Sequence, residues 1–515
     1  MTASQSTPLL QPDTRRASVL SQVDRDLLFG NHLVPSDSLL GGDEENPITE
    51  TWQVASLTIE THTDLKKEML ALAKSSAPLV VTFVLQNSLT LASILSVGHI
   101  GKEPLAGITL GAMTAAITGF AFIQGIATCL DTLCSQAYGA GKHELVGMHV
   151  IRCAMLAICC FIPIGFIWEV YASEVLSLFI AQKELAVIAG KYLRIVGMGI
   201  PGFILFECFK RFLQCQGVFH AGTYVLLICA PFNALMNYLL VWKLGFGYIG
   251  APIAVTLNYW LMPLGLLIYL LTHREYLKCW PSDLTYSQAF TNWDKMIQLA
   301  LPGVIMVEAE FIGFEVITIS SAKLGTTALA AQSILANISA LTFQIPFAIG
   351  IATATRVGNY IGAGLPKNGR ISCNAVMAWA VVVGLFNGSI VYFFRLKIAK
   401  IYTNVPEVID AVTSALIVMA VVCFVDCLNE CSAGGMKGLG MQKVGGRITM
   451  FSFYCVGLPV SFLLCFKAGL GLEGLWIGIG VALTAISALQ VYTVFIGADW
   501  NKAVEVAKER NSEHD

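Results

Sequence analysis

From Leu72 onward the chain alternates long apolar runs with short polar breaks. Twelve of these runs approach the roughly 20 residues a helix needs to cross a bilayer. They cover residues 72–97, 105–128, 148–170, 186–206, 221–242, 249–271, 297–321, 327–352, 372–394, 407–430, 446–467 and 472–496. A backbone in lipid must satisfy its own N–H and C=O groups, so runs of this length read as helices. The pattern predicts an all-α polytopic membrane protein with twelve transmembrane helices.

The polar remainder divides the chain. Residues 1–64 hold ten Asp or Glu against three Arg and little apolar surface, and are expected to form a disordered cytosolic tail. This tail lacks the basic-then-apolar pattern of a cleaved signal peptide, so the first span is expected to target the chain. Within it, Leu27–Leu28 after acidic residues and the "RRAS" run at Arg15–Ser18 are candidate sorting and kinase signals. Residues 65–272 would form one lobe of helices 1–6, 273–296 a cytosolic linker, 297–496 a second lobe of helices 7–12, and 497–515 a cytosolic tail.

Orientation follows from Lys and Arg, which accumulate in cytoplasmic connections. Assigning the termini and even-numbered connections to the cytosol places 19 basic residues there and 10 on the other side, leaving out three in the distal tail. Both termini are therefore expected in the cytosol.

The halves repeat. Shifting the sequence by 224 aligns Pro78 with Pro302, Gly101 with Gly325, Leu105 with Leu329, Gly245 with Gly469 and Gly250 with Gly474, with a slip of one or two positions after span two. Six spans per half is an even number, so both halves enter the bilayer from one side and relate by an axis along its normal. Repeats of this kind frame a substrate site between lobes that rock around it.

Composition agrees with a membrane protein: 56% of the 515 residues are hydrophobic and 13% charged, and mean hydropathy is +0.68. A net charge of −2 gives no electrostatic case for binding nucleic acid. The 15 cysteines include no C-x-x-C pair and no His companion at metal-ligand spacing, so no metal site is expected. Cys423, Cys427 and Cys431 share a helix face and read as packing residues. No P-loop is present, since "GHIGKE" lacks its spacing and its Ser or Thr, which argues against direct ATP coupling. The triplets at Asn337 and Asn387 match a glycosylation acceptor but lie inside expected spans.

Span seven carries the chemistry: "MVEAEFIGFEVITIS" places Glu308, Glu310 and Glu315 in one apolar helix. An ionisable residue at the bilayer centre costs about 3 kcal/mol on insertion scales, so it persists where it faces protein or a wet cavity. Seven positions of advance bring Glu308 and Glu315 within about 20° of each other, whereas Glu310 and Glu315 lie about 140° apart. Either this helix bends at Gly313 or it borders polar space on two sides. Under the 224 shift Glu310 faces Gln86, so the acidity belongs to the second half. In span ten, "CFVDCLNECSAGG" sets Asp426 and Glu430 one turn apart on one face. Neighbouring carboxyls shielded from water can exchange protons in the physiological range. The blander reading is that they only hydrogen-bond between helices.

The run "GHIGKEPLAGITL", the segment "LDTLCSQAYGAGK", the later "TATRVGNYIGAG" and "GLGMQKVGG" resemble the multidrug and toxic compound extrusion (MATE) family in its eukaryotic, fungal branch. The likeness covers residues 72 to 496 in order. It implies two pseudo-symmetric six-helix lobes and cation-driven export of small organic molecules or xenobiotics by alternating access. It further implies functional acids eight and thirteen positions after the span-seven Pro, which here are Glu310 and Glu315 after Pro302, and another at Asp426. Glu308 and Glu430 have no such match. Asn337 stands where animal members carry a further acid, which weakens the case for an organic-cation substrate.

The expected protein is thus a monomeric antiporter in the lipid bilayer of the plasma or vacuolar membrane, without cofactors or enzymatic activity. Its coupling ion is H⁺, with Na⁺ as the alternative. A lipid or polar-metabolite flippase is the competing transport reading. An intramembrane enzyme would need a nucleophile or metal beside the carboxyls, and a passive channel would show flux independent of a gradient.

Overall fold

A computed structural model describes residues 63–179, 182–282 and 286–512, and among these no strand occurs. The candidate signals at Leu27–Leu28 and Arg15–Ser18 lie outside the described residues. Within the described residues, ten unbroken helical runs are long and apolar enough to cross a membrane: Leu65–Gly98, Lys102–Gly139, His143–Val170, Ala221–Lys243, Gly247–Thr272, Thr326–Gly362, Pro366–Tyr402, Pro406–Leu439, Gln442–Lys467 and Gly471–Gly497. An eleventh crossing is broken, with Lys183–Gly197 and Ile200–Cys215 meeting at 52°. Pro201 opens the second piece, where its missing N–H breaks no helical bond. The twelfth is Trp293–Ala322, a single 30-residue helix that carries Asp294, Glu308, Glu310 and Glu315. Counted in chain order these are spans one to twelve.

Several helices outrun their apolar windows. Span two continues to Gly139, span eight to Gly362 and span ten to Leu439. Hydropathy falls where Asp131, Arg356 and Lys437 begin, yet these side chains are buried or partly buried against other helices, so the helix has no reason to stop.

The repeat is visible in the backbone. Left-handed glycines recur in pairs with nearly equal φ: Gly141 and Gly364 at 74° and 75°, Gly217 and Gly440 at 83° and 75°, Gly245 and Gly469 at 71° and 73°, Gly247 and Gly471 at 59° and 55°. Only glycine takes this conformation without a Cβ penalty, so equivalent turns demand equivalent glycines. Spans five and eleven both end in a π-helical turn, at Leu239–Lys243 and Leu463–Lys467.

Each lobe buries its own apolar core. The first centres on Tyr192, Phe206 and Phe212 and the second on Phe453 and Trp476. A further cluster joins Leu72, Leu79 and Phe83 of span one to Ala348 and Ala352 of span eight and Val376 of span nine. Large apolar side chains such as Ile228, Phe386 and Phe393 stand exposed on the outside, as a lipid-facing belt requires.

The bundle has a near end, bearing Thr63 and the even-numbered turns, and a far end. Hydrogen bonds between the lobes gather at the near end. Glu68 of span one, 2% exposed, accepts from Arg356 Nε at 2.9 Å and Nη2 at 2.6 Å, and from the Tyr360 hydroxyl at 2.6 Å. Gln136 Nε2 donates to the Gly438 carbonyl at 3.1 Å, and Asn359 Nδ2 to that of Cys215 at 3.3 Å. Residues Trp500–Ser512, within the expected C-terminal tail, form a helix across this seam. Trp500 is buried against the second lobe beside Gly369, while Arg510 Nη1 donates to Gln136 Oε1 at 3.3 Å and the Asn511 carbonyl accepts from Lys142 Nζ at 2.9 Å. The connection between spans six and seven is packed as well: Tyr276 and Cys279 are buried, and Arg152 Nε reaches the Gln288 carbonyl at 3.0 Å.

Candidate coupling and substrate site

Span seven runs as one α-helix, and Gly313 serves close packing: a Cβ there would stand 2.9 Å from the Phe453 ring of span eleven. Its buried stripe is Met306, Ala309, Gly313 and Ile317. At about 100° per residue Glu310 borders that stripe, so it turns into the second lobe, while Glu308 and Glu315 lie on the opposite side. Val304, close to the Glu308 and Glu315 direction, packs on Gly125 of span two. Gly303, seven positions before Glu310, packs on Thr128 and Gly125 of the same span, so span seven meets the first lobe over a broad face and the two acid directions part above that contact. Glu310 and the pair Glu308 and Glu315 thus point to different sides of one continuous helix.

Inside the second lobe Glu310 falls within electrostatic reach of Asp426, Glu430 and Lys437. Glu430 is buried, and its carboxylate lies near Gly350 of span eight, where a Cβ would sit 3.8 Å from Oε2. Span ten approaches span eight closely because Gly434 packs on the Gly350 backbone. Asp426 Oδ1 is buried without a hydrogen-bond partner among the described residues. Lys437, 6.0 Å from the Phe347 ring centroid, is a cation within electrostatic reach of Glu310 and Glu430, and of Asp131 of span two as well. The buried Glu430, which has no family match, thus belongs to the same group as Glu310 and Asp426.

The other expected site residues lie elsewhere. Gln86 sits in the first lobe, where its Nε2 donates to Glu207 Oε1 at 3.1 Å. Asn337 is exposed, and its Nδ2 donates back to the Ser333 carbonyl of its own helix at 2.8 Å. Glu308 stands beside Tyr454. Asn387 is buried, its Nδ2 3.9 Å from Cys427 Sγ, within a packed helix rather than at an accessible loop.

A model of the MatE family matches the chain twice, over residues 78–239 and 302–463, and the second match is the first displaced by the same shift that relates the two halves. The chain belongs to the MATE family. An uncharacterized transporter of Saccharomyces cerevisiae is 42% identical over 450 residues, covering 87% of this chain and 64% of that relative's own length. Protein DETOXIFICATION 16 of Arabidopsis thaliana is 32% identical over 469 residues, covering 89% of this chain and 93% of the relative. Among solved structures, the eukaryotic MATE transporter AtDTX14 superposes with a TM-score of 0.82 at 26% identity, over 87% of this chain and 99% of that one. Membership in the MATE family makes this an integral multi-pass membrane protein of the transporter class and not an enzyme.

The span pattern missed a cluster of charges in the first MATE lobe. Glu207, Lys210 and Arg211 fall just beyond the apolar window that ends at 206, and so read as loop residues, yet all three are buried with Asp131. The signal that finds them is the repeat: Glu207 precedes Gly217 by the same interval as Glu430 precedes Gly440.

Proposed function

We propose that the protein exports small organic molecules in exchange for protons by alternating access of its two lobes. The observation that carries this reading is the gathering of Glu310, Asp426 and Glu430 inside the second lobe, with Asp426 Oδ1 lacking a protein partner among the described residues. At an effective dielectric of about 20, two like charges roughly 8 Å apart repel by about 2 kcal/mol. Such a group is relieved by taking up a small cation, and its acids can pass a proton among themselves.

With the near end assigned to the cytosol, the lobes are closed on the cytosolic side in this structure. Protons entering from an acidic far side load the inner acids of span seven and span ten. Glu308 and Glu315, on the outer face of the same helix, attract a positively charged substrate group between the lobes. Loading alters span seven, substrate leaves outward, and the reset carrier releases its protons to the cytosol. One pH unit supplies about 1.4 kcal/mol per proton, and 100 mV adds about 2.3 kcal/mol per charge. Two protons therefore sustain a concentration ratio of roughly a hundredfold or more, since each proton's share is about a factor of ten.

Export from proteoliposomes with separately imposed pH and Na⁺ gradients tests the reading. Wild type should respond to the pH gradient and Glu310→Gln should not. A wild type driven by Na⁺ alone would replace the proton in this scheme, and an unchanged Glu310→Gln would remove the carboxyls from it.

A further inference from the structure

The proposed cycle leaves the first lobe's buried charges unused. Glu207 Oε1 accepts from Lys210 Nζ at 2.7 Å and from Gln86 Nε2 at 3.1 Å, and Oε2 accepts from Arg211 Nη1 at 2.6 Å. Lys210 Nζ also donates to Gln86 Oε1 at 3.3 Å and lies 4.8 and 5.2 Å from the ring centroids of Phe83 and Phe206. Arg211 is held from its other side by Asp131, Nε to Oδ1 at 3.1 Å. Asp131, Glu207, Lys210 and Arg211 are all buried.

Repeat arithmetic gives this cluster a counterpart. Gln86 plus 224 is Glu310, in a register pinned by Pro78 with Pro302 and Gly101 with Gly325. Glu207 plus 223 is Glu430, in a register pinned by the left-handed turns at Gly217 and Gly440. The pair Gln86–Glu207, joined by a hydrogen bond between spans one and four, is therefore the image of Glu310–Glu430 between spans seven and ten. The cations have no image at their own positions: Ala433 and Gly434 stand where Lys210 and Arg211 would repeat, and the second lobe's Lys437 stands where the first has Gln214.

We propose that Lys210 is a tethered cation, its ammonium filling in the first lobe the place where the second lobe, between Glu310 and Glu430, takes up its mobile coupling cation. The identity of that mobile cation rests on the function proposed above; the role of Lys210 does not. An ammonium this deep in a membrane protein persists only with strong acceptors, and here two side-chain oxygens and two aromatic faces hold it. A permanently filled first lobe leaves exchange to the second, so one lobe sets the stoichiometry.

Lys210→Ala tests this, with methylammonium as a diffusible replacement for the missing group. Export should fall by roughly tenfold or more, because removing one member of a buried ion pair leaves an uncompensated charge. Methylammonium should restore it several-fold and raise the thermal midpoint of the purified variant. Tetramethylammonium, which has no N–H to donate, should do neither. The double variant Glu207→Gln/Lys210→Ala removes acid and cation together. It should fold, unfold at a higher temperature than Lys210→Ala, and ignore methylammonium. Should Lys210→Ala alone fail to fold, methylammonium present during purification, and the recovery of the double variant, decide the matter. Equal behaviour of single and double variants, or rescue by tetramethylammonium as well, overturns the proposal. Because Glu310→Gln is scored by its pH response and Lys210→Ala by amine rescue, either idea can fail without the other.

Discussion

Gly139 of span two and Gly362 of span eight, equivalent positions of the two halves, pack reciprocally: each faces the backbone carbonyl three positions before the other, Gly139 that of Asn359 and Gly362 that of Gln136. The pseudo-two-fold axis between the lobes passes through this contact. A side chain at either glycine would have to push against backbone, which does not yield.

Gly362→Val should therefore hold the near end apart. Overpacking of this kind costs about 1–3 kcal/mol, enough to shift the lobes by roughly fivefold to a hundredfold. Spin labels at Lys102→Cys and Lys323→Cys, both exposed at the far end, should move closer together as the near end opens. Exposed Cys455 would be replaced first. Gly98→Ala, where the new Cβ makes an ordinary 3.8 Å contact with Leu105, should leave the distance unchanged.

Glu68 and Arg356 form a two-pronged ion pair across the lobes. Glu68→Gln leaves the guanidinium under-compensated and should destabilise the closed near end by about 3 kcal/mol or more. Arg356→Lys should not substitute, since a single ammonium cannot reproduce the planar fork. A Glu68→Gln/Arg356→Gln double variant should lose less stability than the two single losses added together, as read from thermal unfolding.

Deleting residues 500–512 removes the bonds of Arg510 and Asn511 to the first lobe and the seating of Trp500 on the second. The same pair of spin labels should report a broader distribution, with the far-end distance shortened in part of the population. A distribution identical to that of the intact chain would mean that the helix decorates the seam without holding it.

Among the acids, Glu310→Gln, Asp426→Asn and Glu430→Gln should each abolish the pH response of export, because they disturb one electrostatic group. Glu308→Gln should keep that response and instead raise the substrate concentration needed for half-maximal transport. Equal effects in all four variants would contradict the division of span seven into two faces.

Most of the architecture was legible in the chain: the twelve spans, the repeat and its even parity follow from apolar length and from glycines that occupy equivalent turns. What stayed hidden lies where polar residues are buried in protein. A hydropathy window cannot distinguish a charge in water from one paired inside a helix bundle, so it ended span four before Glu207 and span ten before Lys437. Lys210, Arg211, Arg356 and Lys437 entered the orientation count as connection residues although they sit within helices. Without them the balance is fifteen to ten, still in the same direction. Glu430 seemed surplus beside Asp426 because its partner, Glu310, lies three spans away in the chain.

Span seven carries Glu310 on one side and Glu308 with Glu315 on the other, separated by a helix about 10 Å thick. In the proposed cycle ion and cargo therefore need not compete for the same volume, and a carrier holding both at once is sterically allowed. Nothing in the shape of the site forbids slippage, the return of a proton with no cargo exported. Tight exchange then depends on how rigidly one helix relays the charge state of its inner face to its outer face, and a mutation that softens span seven would reveal itself as a proton leak before it revealed itself as lost binding.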